Sequence, residues 1–207
     1  MRGVDDPKDV VRRGYDALSV RYDETYGAST KYRPWLASLI AGLPPAAAVV
    51  DLGCGSGVPV ARDLVAAGHR VTGVDFSAMQ VCRARRLVPA ATFLQCDLTA
   101  VRFSPASLDA VLAFYSIIHV PLGEQQSLLH RIAGWLRPGG VFVATMGHDA
   151  WTGTDAGWLG GETPMWWSHA DAATNRRWLT ATGLTIERET FLAEGTGGAV
   201  LFVARRP

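Results

Sequence analysis

Two apolar patterns alternate along the chain. In "DPKDVVRRGYDALSVRYDETYG", Val11, Tyr15, Leu18, Tyr22 and Tyr26 recur at spacings of three and four, which predicts a helix with one tyrosine-rich face. A second helix is predicted at roughly 31 to 41, ending at Gly42 and the Pro44-Pro45 pair. The glycine-bounded run "AAAVVDLG" then predicts a short strand buried on both faces. From there the period switches back and forth. "VPVARDLVAAG" predicts a helix closed by Gly68, "RVTGVD" a strand, "SAMQVCRARRLV" a helix capped by Ser77, and "ATFLQCD" a strand. "LDAVLAFYS" predicts a strand, "GEQQSLLHRIAGWL" a helix and "VFVATMG" a further strand. Such alternation predicts a parallel sheet wound on both faces, with ligands at the carboxyl ends of its strands.

The tail breaks the rhythm. A helix is expected from "SHADAATNRRWLTATG", with Ser168 as N-cap and Asp171 three places on. "LTIERETFLA" and "AVLFVARR", joined by "EGTGG", predict a hairpin, so one strand of the sheet runs antiparallel to the others. Residues 148 to 168 have no clear period and carry Trp151, Trp158, Trp166 and Trp167, four of the seven tryptophans. Irregular insertions of this length in compact domains serve function or are disordered, and the tryptophans argue against disorder.

Composition narrows the partners. With 48% hydrophobic residues in 207, the chain is expected to build one domain around one core. A formal net charge of +1, with both signs interspersed, leaves no basic face for a phosphate backbone, so nucleic acid is not an expected partner. No apolar run approaches the ~18 residues that span a bilayer, and the charged N-terminus lacks a signal-peptide core, so no membrane contact and a cytoplasmic location are expected. Cys54, Cys82 and Cys96 form no CxxC pair and have no histidines at zinc spacing, and no metal is expected.

The chemistry concentrates in "VVDLGCGSGVPVARDL", where Gly53, Gly55 and Gly57 occupy a strand-to-helix turn that lets backbone N–H groups approach a ligand. Asp75 ends the next strand, 18 residues past Gly57, where a carboxylate can take two ribose hydroxyls. A dinucleotide and a nucleoside would both use this geometry. The dinucleotide fingerprint needs glycine where Val58 stands, and Asp51 would repel a pyrophosphate but attract an ammonium or sulfonium.

"VVDLGCGSG", followed in order by "GVDFSAMQ", "FLQCDL" and "WLRPGGVF", resembles the class I S-adenosylmethionine-dependent methyltransferases from about residue 49 to 147. The resemblance implies an α/β, Rossmann-like doubly wound sheet of seven strands with the last antiparallel, and an N-terminal helical lid. It implies a single domain over 1–207: a lid at 1–42, a cofactor-binding core at 46–147, a substrate loop at 148–168, and a helix plus C-terminal hairpin at 169–207. It assigns S-adenosyl-L-methionine as cofactor, with Gly53, Gly55 and Gly57 at its methionine part, Asp51 near the ammonium, Asp75 at the ribose hydroxyls, Phe76 on the adenine face, and Asp97 with Leu98 at the adenine edge. Phe114 is counted with the cofactor residues. Tyr15 and Tyr22 lie two helical turns apart, so both rings can face one way; Tyr22 is assigned to the cofactor and Tyr15 to the acceptor.

Methyl transfer from positive sulfur needs no acid for the leaving group, so positioning does most of the work and a base matters only for a protonated acceptor. His119, His169 and Tyr115 are the candidates for chemistry, with His119 weighted toward holding its turn, and His169 expected to open a helix whose dipole keeps it neutral. His148, Trp151, Trp166 and Trp167 are expected to line the acceptor site. The Asn/Asp-Pro-Pro-aromatic sequence that related enzymes place after the fourth strand for amide or exocyclic nitrogens is replaced by "AFYS". A small, partly apolar acceptor is therefore expected, with the protein a monomer or homodimer. Two alternatives stand beside this: a protein of the same fold that binds the cofactor without methyl transfer, and an NAD(P)-dependent oxidoreductase.

Overall fold

The computed structural model describes residues 6–26, 33–195 and 197–207. Helix α1 (Pro7–Tyr26) and helix α2 (Arg33–Gly42) precede the sheet. The start of the expected second helix, residues 31 and 32, and residue 196 of the expected hairpin lie outside the described residues. Then follow β1 (Ala48–Leu52), α3 (Val60–Ala66), β2 (Arg70–Asp75), α4 (Ala78–Leu87), β3 (Thr92–Gln95), β4 (Leu108–Ala113), α5 (Leu122–Trp135) and β5 (Leu136–Gly147). The C-terminal part holds β6 (Trp151–Asp155), β7 (Met165–His169), α6 (Ala172–Ala181), β8 (Thr185–Glu194) and β9 (Gly197–Arg205).

Seven strands form one sheet in the order β3-β2-β1-β4-β5-β9-β8. The strands β1 to β5 pair in parallel, and β9 runs antiparallel to both β5 and β8. Alternate residues of each central strand feed opposite layers. Val50, Val111 and Ala113 join Leu128, Leu129 and Ile132 of α5 on one face, and Val49, Ala110 and Leu112 join Leu64 of α3 and Val81 of α4 on the other. Burial on both sides explains why these strands read as unbroken apolar runs. The strand order reverses between β1 and β4, which opens a crevice at their carboxyl ends. No helix among the described residues is long and apolar enough to cross a membrane.

Three expectations change. The tryptophan-rich segment is not irregular throughout: β6 and β7 form a two-stranded antiparallel sheet, Trp151 opposite His169 and Gly153 opposite Trp167. It was hidden because Trp166 and Trp167 are consecutive and apolar, leaving no period of two. Helix α6 begins at Ala172, and its cap is Asp171, whose side chain accepts from the Thr174 N–H at 2.7 Å, not Ser168, which is used up in β7 where its hydroxyl bonds Thr152. His169 therefore ends a strand and does not open a helix. Strand β4 also stops at Ala113, so Phe114, Tyr115 and Ser116 form the turn beyond it.

Candidate functional site

The crevice is built first from the loop after β1. Gly53 has φ +73 and its N–H donates to the Val74 carbonyl at 2.7 Å; a Cβ there would overlap the Ser116 side chain, so only glycine fits. The Gly55 N–H donates to Asp75 Oδ2 at 3.0 Å, and the Ser77 N–H to Asp75 Oδ1 at 2.9 Å, so one carboxylate ties the glycine loop to the end of β2. Gly57 behaves differently from its two neighbours in the motif. It does not line the crevice, and a Cβ there would press on Phe93 and Val88.

Asp51, Asp75, Phe76, Asp97, Leu98 and Phe114 all line the crevice with the loop, and Tyr22 closes it from α1. Its floor is acidic. Burial, then the charge of Asp75, pushes the Asp51 carboxyl up to about 7. Burial raises Asp75 to about 6 against the pull of the Ser77 and Gly55 N–H groups. Asp51 Oδ2, Ser56 Oγ, Gln80 Nε2 and Ser116 Oγ are buried without a hydrogen-bond partner, and all four residues line this crevice. Buried polar atoms are normally satisfied, so four orphans around one cleft mark a place shaped for a polar ligand.

Helix α1 is held across the crevice by polar ties. Lys8 Nζ reaches Asp97 Oδ2 at 2.9 Å and Glu124 Oε2 at 2.6 Å. Ser77 donates to Asp16 at 2.6 Å, Ser19 to Gln80 Oε1 at 2.8 Å, and Arg83 to Asp23 at 2.6 Å. Its other side meets β7, where Gly14 leaves room for Met165.

Beyond the crevice lies an aromatic chamber of about 380 Å³, reached through an inner part that Tyr15, Tyr22, Tyr115 and His119 share with the crevice. Trp151, Trp167, His169 and Tyr115 line the chamber. Two expected members do not. The Trp166 ring lies outside it, with only the Trp166 carbonyl engaged by His119, and His148 packs edge-on against Phe191 with centroids 4.6 Å apart. Trp158, Glu194, Asp155 and Ile118 were not singled out from the sequence, although Trp158 stood in the tryptophan-rich segment. Glu194 carries no local signal, since only the β5-β9-β8 crossover brings the end of β8 beside the turn after β4.

His119 is buried and both ring nitrogens are engaged. Nδ1 lies 2.7 Å from the Trp166 carbonyl, an acceptor, so Nδ1–H donates and Nε2 accepts from the Tyr15 hydroxyl at 3.0 Å. Burial pushes its pKa down to about 4 despite the Trp166 bond, so the ring is neutral at pH 7. Tyr115 sits in the turn at φ +53, with its N–H donated to Thr145 Oγ1 at 2.5 Å and its hydroxyl donated to Glu194. Burial and then Glu194 raise its phenol far up, so it is a donor and not a base. His169 Nδ1 bonds the Asp149 carbonyl at 2.7 Å, which turns its other nitrogen away from that loop.

Comparison with known proteins adds to this geometry. A family model described as a methyltransferase domain matches residues 49–140. Trans-aconitate 2-methyltransferase of Paracidovorax citrulli is 41% identical over 114 residues, covering 52% of this chain and 42% of that protein. The 27-O-demethylrifamycin SV methyltransferase of Amycolatopsis mediterranei is 30% identical over 152 residues, covering 63% and 55%. The chain thus spans about half the length of these curated relatives. The crystal structure of magnesium protoporphyrin IX methyltransferase from Synechocystis, with bound S-adenosylhomocysteine, superposes with a TM-score of 0.75 over 98% of this chain and 100% of that one; at 22% identity it speaks for the fold.

Proposed function

The chain belongs to the class I S-adenosylmethionine-dependent methyltransferases, and from that membership we propose that it moves a methyl group from S-adenosyl-L-methionine to a small, partly apolar acceptor, in the cytoplasm and as a monomer or homodimer. The observation that carries the reading is the group of four partnerless buried polar atoms around the glycine loop. Asp51 Oδ2 is an acceptor suited to an ammonium, Gln80 Nε2 a donor suited to a carboxylate, and the Ser56 and Ser116 hydroxyls can serve either. Asp75 would use the lone pairs left by the Gly55 and Ser77 bonds on the ribose hydroxyls, with Phe76 and Leu98 offering apolar surface to the adenine and Asp97 its edge. Tyr22 would cover the methionine part from α1.

When bound, the cofactor supplies a methyl group made electrophilic by positive sulfur. The protein's share is alignment and exclusion of water: Tyr15, Tyr115 and His119 lie where the crevice opens into the aromatic chamber, so an acceptor held there is presented to the crevice. None of these three is set up as a strong base at neutral pH, which suits an acceptor that arrives with a lone pair available. The aromatic lining of the chamber and the net charge of +1 support a small molecule over nucleic acid. Equilibrium binding tests the reading: tight S-adenosylhomocysteine binding without NAD(P) binding supports it, and the reverse result installs the oxidoreductase. Methyl uptake from labelled cofactor across a panel of acceptors separates transfer from binding alone.

The acidic floor makes a pH prediction. An ammonium is held by ionised Asp51, whose pKa near 7 lies above its ordinary value, so S-adenosylhomocysteine affinity should rise with pH through that point. A loss of about 25-fold is expected from Asp51 alone on going from pH 7.5 to 5.5, and Asp51→Asn should leave only the smaller fall that Asp75, with its pKa near 6, adds below pH 7. Calorimetric titration at four pH values checks it, and a flat wild-type profile would remove Asp51 from the ammonium site.

A further inference from the structure

One imidazole on the wall of the acceptor chamber has its proton fixed on one nitrogen and the other nitrogen left over. His169 Nδ1 lies 2.7 Å from the Asp149 carbonyl, which can only accept, so Nδ1 carries the proton and Nε2 the lone pair. Among the described residues Nε2 has no hydrogen-bond partner. The ring is seated on the end of β5. A Cβ at Gly147 would overlap His169 Nδ1 and Cγ, so the missing side chain is what lets the imidazole lie there. Trp151, its cross-strand partner, flanks it at 6.1 Å and 45°. Gly147, Trp151 and His169 all line the chamber. His169 is also close enough to the inner passage for its charge to lower the His119 pKa, and His119 lines the crevice.

The other basic groups are engaged or weaker. His119 has both ring nitrogens bonded, and His148 packs on Phe191. Asp155 and Glu194 line the chamber too, but a carboxylate, ordinarily at a pKa of about 4, is a weaker base than an imidazole at about 6.5. The walls indicate the acceptor's skeleton. Trp158 and Trp167 meet at 5.8 Å and 83°, and Trp151 and Trp167 at 6.0 Å and 46°, so an aromatic ring among them finds edge-to-face and tilted contacts. A phenol suits the base as well. Its proton, ordinarily at a pKa of about 10, comes within reach of an imidazole once the oxygen begins to bond to carbon, whereas an aliphatic hydroxyl is too weak an acid.

We propose that the acceptor is a phenol and that His169 is the catalytic base that takes its proton. This rests on the methyltransferase reading of the adjoining crevice. The phenolic proton passes to Nε2 as an oxygen lone pair bonds to the methyl carbon. The carbon–sulfur bond breaks, and its electron pair stays on sulfur, which loses its positive charge. The imidazolium then gives the proton to water.

The first test needs no turnover. Nitrogen NMR of the full chain with ring-labelled histidine at about pH 8 should show His169 as the Nδ1–H tautomer, its signals assigned by their loss in His169→Asn or His169→Gln. The second compares para-cresol, which must lose a proton, with para-nitrophenol, already an anion at that pH. His169→Asn keeps an N–H for the Asp149 carbonyl but has no Nε2. It should methylate para-cresol about 100-fold more slowly than wild type and para-nitrophenol within about three-fold, with S-adenosylhomocysteine affinity unchanged. Should that variant misfold, His169→Gln, which puts an amide near Nε2, should show the same split. An Nε2–H tautomer, equal losses with both phenols, an undiminished rate with para-cresol, or a wild-type chain that binds S-adenosylhomocysteine yet methylates neither phenol overturns the proposal. Failure of S-adenosylhomocysteine to bind the wild-type chain sinks the cofactor reading, and this proposal with it.

Discussion

Asp75→Ala is expected to weaken S-adenosylhomocysteine binding about 100-fold, close to 3 kcal/mol, while the chain stays folded. Two losses add. The carboxylate placed for the ribose hydroxyls disappears, and charge-assisted hydrogen bonds of that kind are worth about 1.5 to 3 kcal/mol. The Gly55 and Ser77 N–H groups also lose their shared acceptor, so the glycine loop is freed from the end of β2. The folded state itself is relieved of a costly group, because burial holds the Asp75 pKa near 6, above its ordinary value, and Asp51 loses the charge that helps raise its own. Stability should therefore fall by less than affinity. Asp75→Asn separates the two losses, since it keeps one carbonyl acceptor for the loop but turns a donor toward the other N–H. Calorimetric affinity beside a thermal melt reads both effects, and an Asp75→Ala affinity within two-fold of wild type would sink the ribose assignment.

The glycine loop, the acid after the second strand, the buried strands and the antiparallel last strand were legible because each rests on local physics. Turns need glycine at positive φ, as at Gly53 and Gly55, and strands covered on both faces need unbroken apolar runs. What escaped depended on contacts between distant segments. Gly57 has the same backbone conformation as its neighbours in the motif, yet it makes space for Phe93 of β3, which its spacing does not encode. Ser168 and Asp171 are both good caps by chemistry, and the pairing of β7 with β6 decided between them. Glu194 reads as an ordinary strand-end acid until the sheet order sets it beside Tyr115. The β6–β7 pairing escaped because Trp166 and Trp167, adjacent in β7 and so on opposite faces of it, are both large and apolar, which erases alternation.

His119→Leu should cost about 3 kcal/mol of stability, a fall in Tm of roughly 6 to 12 °C for a chain of this size, with only a modest change in turnover per folded molecule. The histidine stands in the turn after β4 and joins it to two other parts of the fold, β7 through the Trp166 carbonyl and α1 through the Tyr15 hydroxyl. Leucine fills the volume but removes the ring nitrogens that bond the Trp166 carbonyl and the Tyr15 hydroxyl. The pH dependence carries the sign. His119 has a folded pKa near 4, below its unfolded value near 6.5, so the unfolded chain binds the extra proton between those values and the wild type loses stability as pH falls through that window. Leucine has no proton to bind. The stability gap between wild type and variant should accordingly be full above pH 6.5 and close as pH falls toward 4. Subtracting the two melts at each pH cancels the opposite slope that Asp51 and Asp75 contribute to both proteins, because their raised pKa values make the folded chain the better proton binder there. Tyr15→Phe should show a smaller loss of stability, since it removes one of the two bonds and leaves the Trp166 bond in place. A well-folded His119→Leu protein that binds S-adenosylhomocysteine normally but loses a thousand-fold or more in methyl transfer would reverse this assignment. It would make Nε2 the group that takes the acceptor's proton, relayed through the Tyr15 hydroxyl.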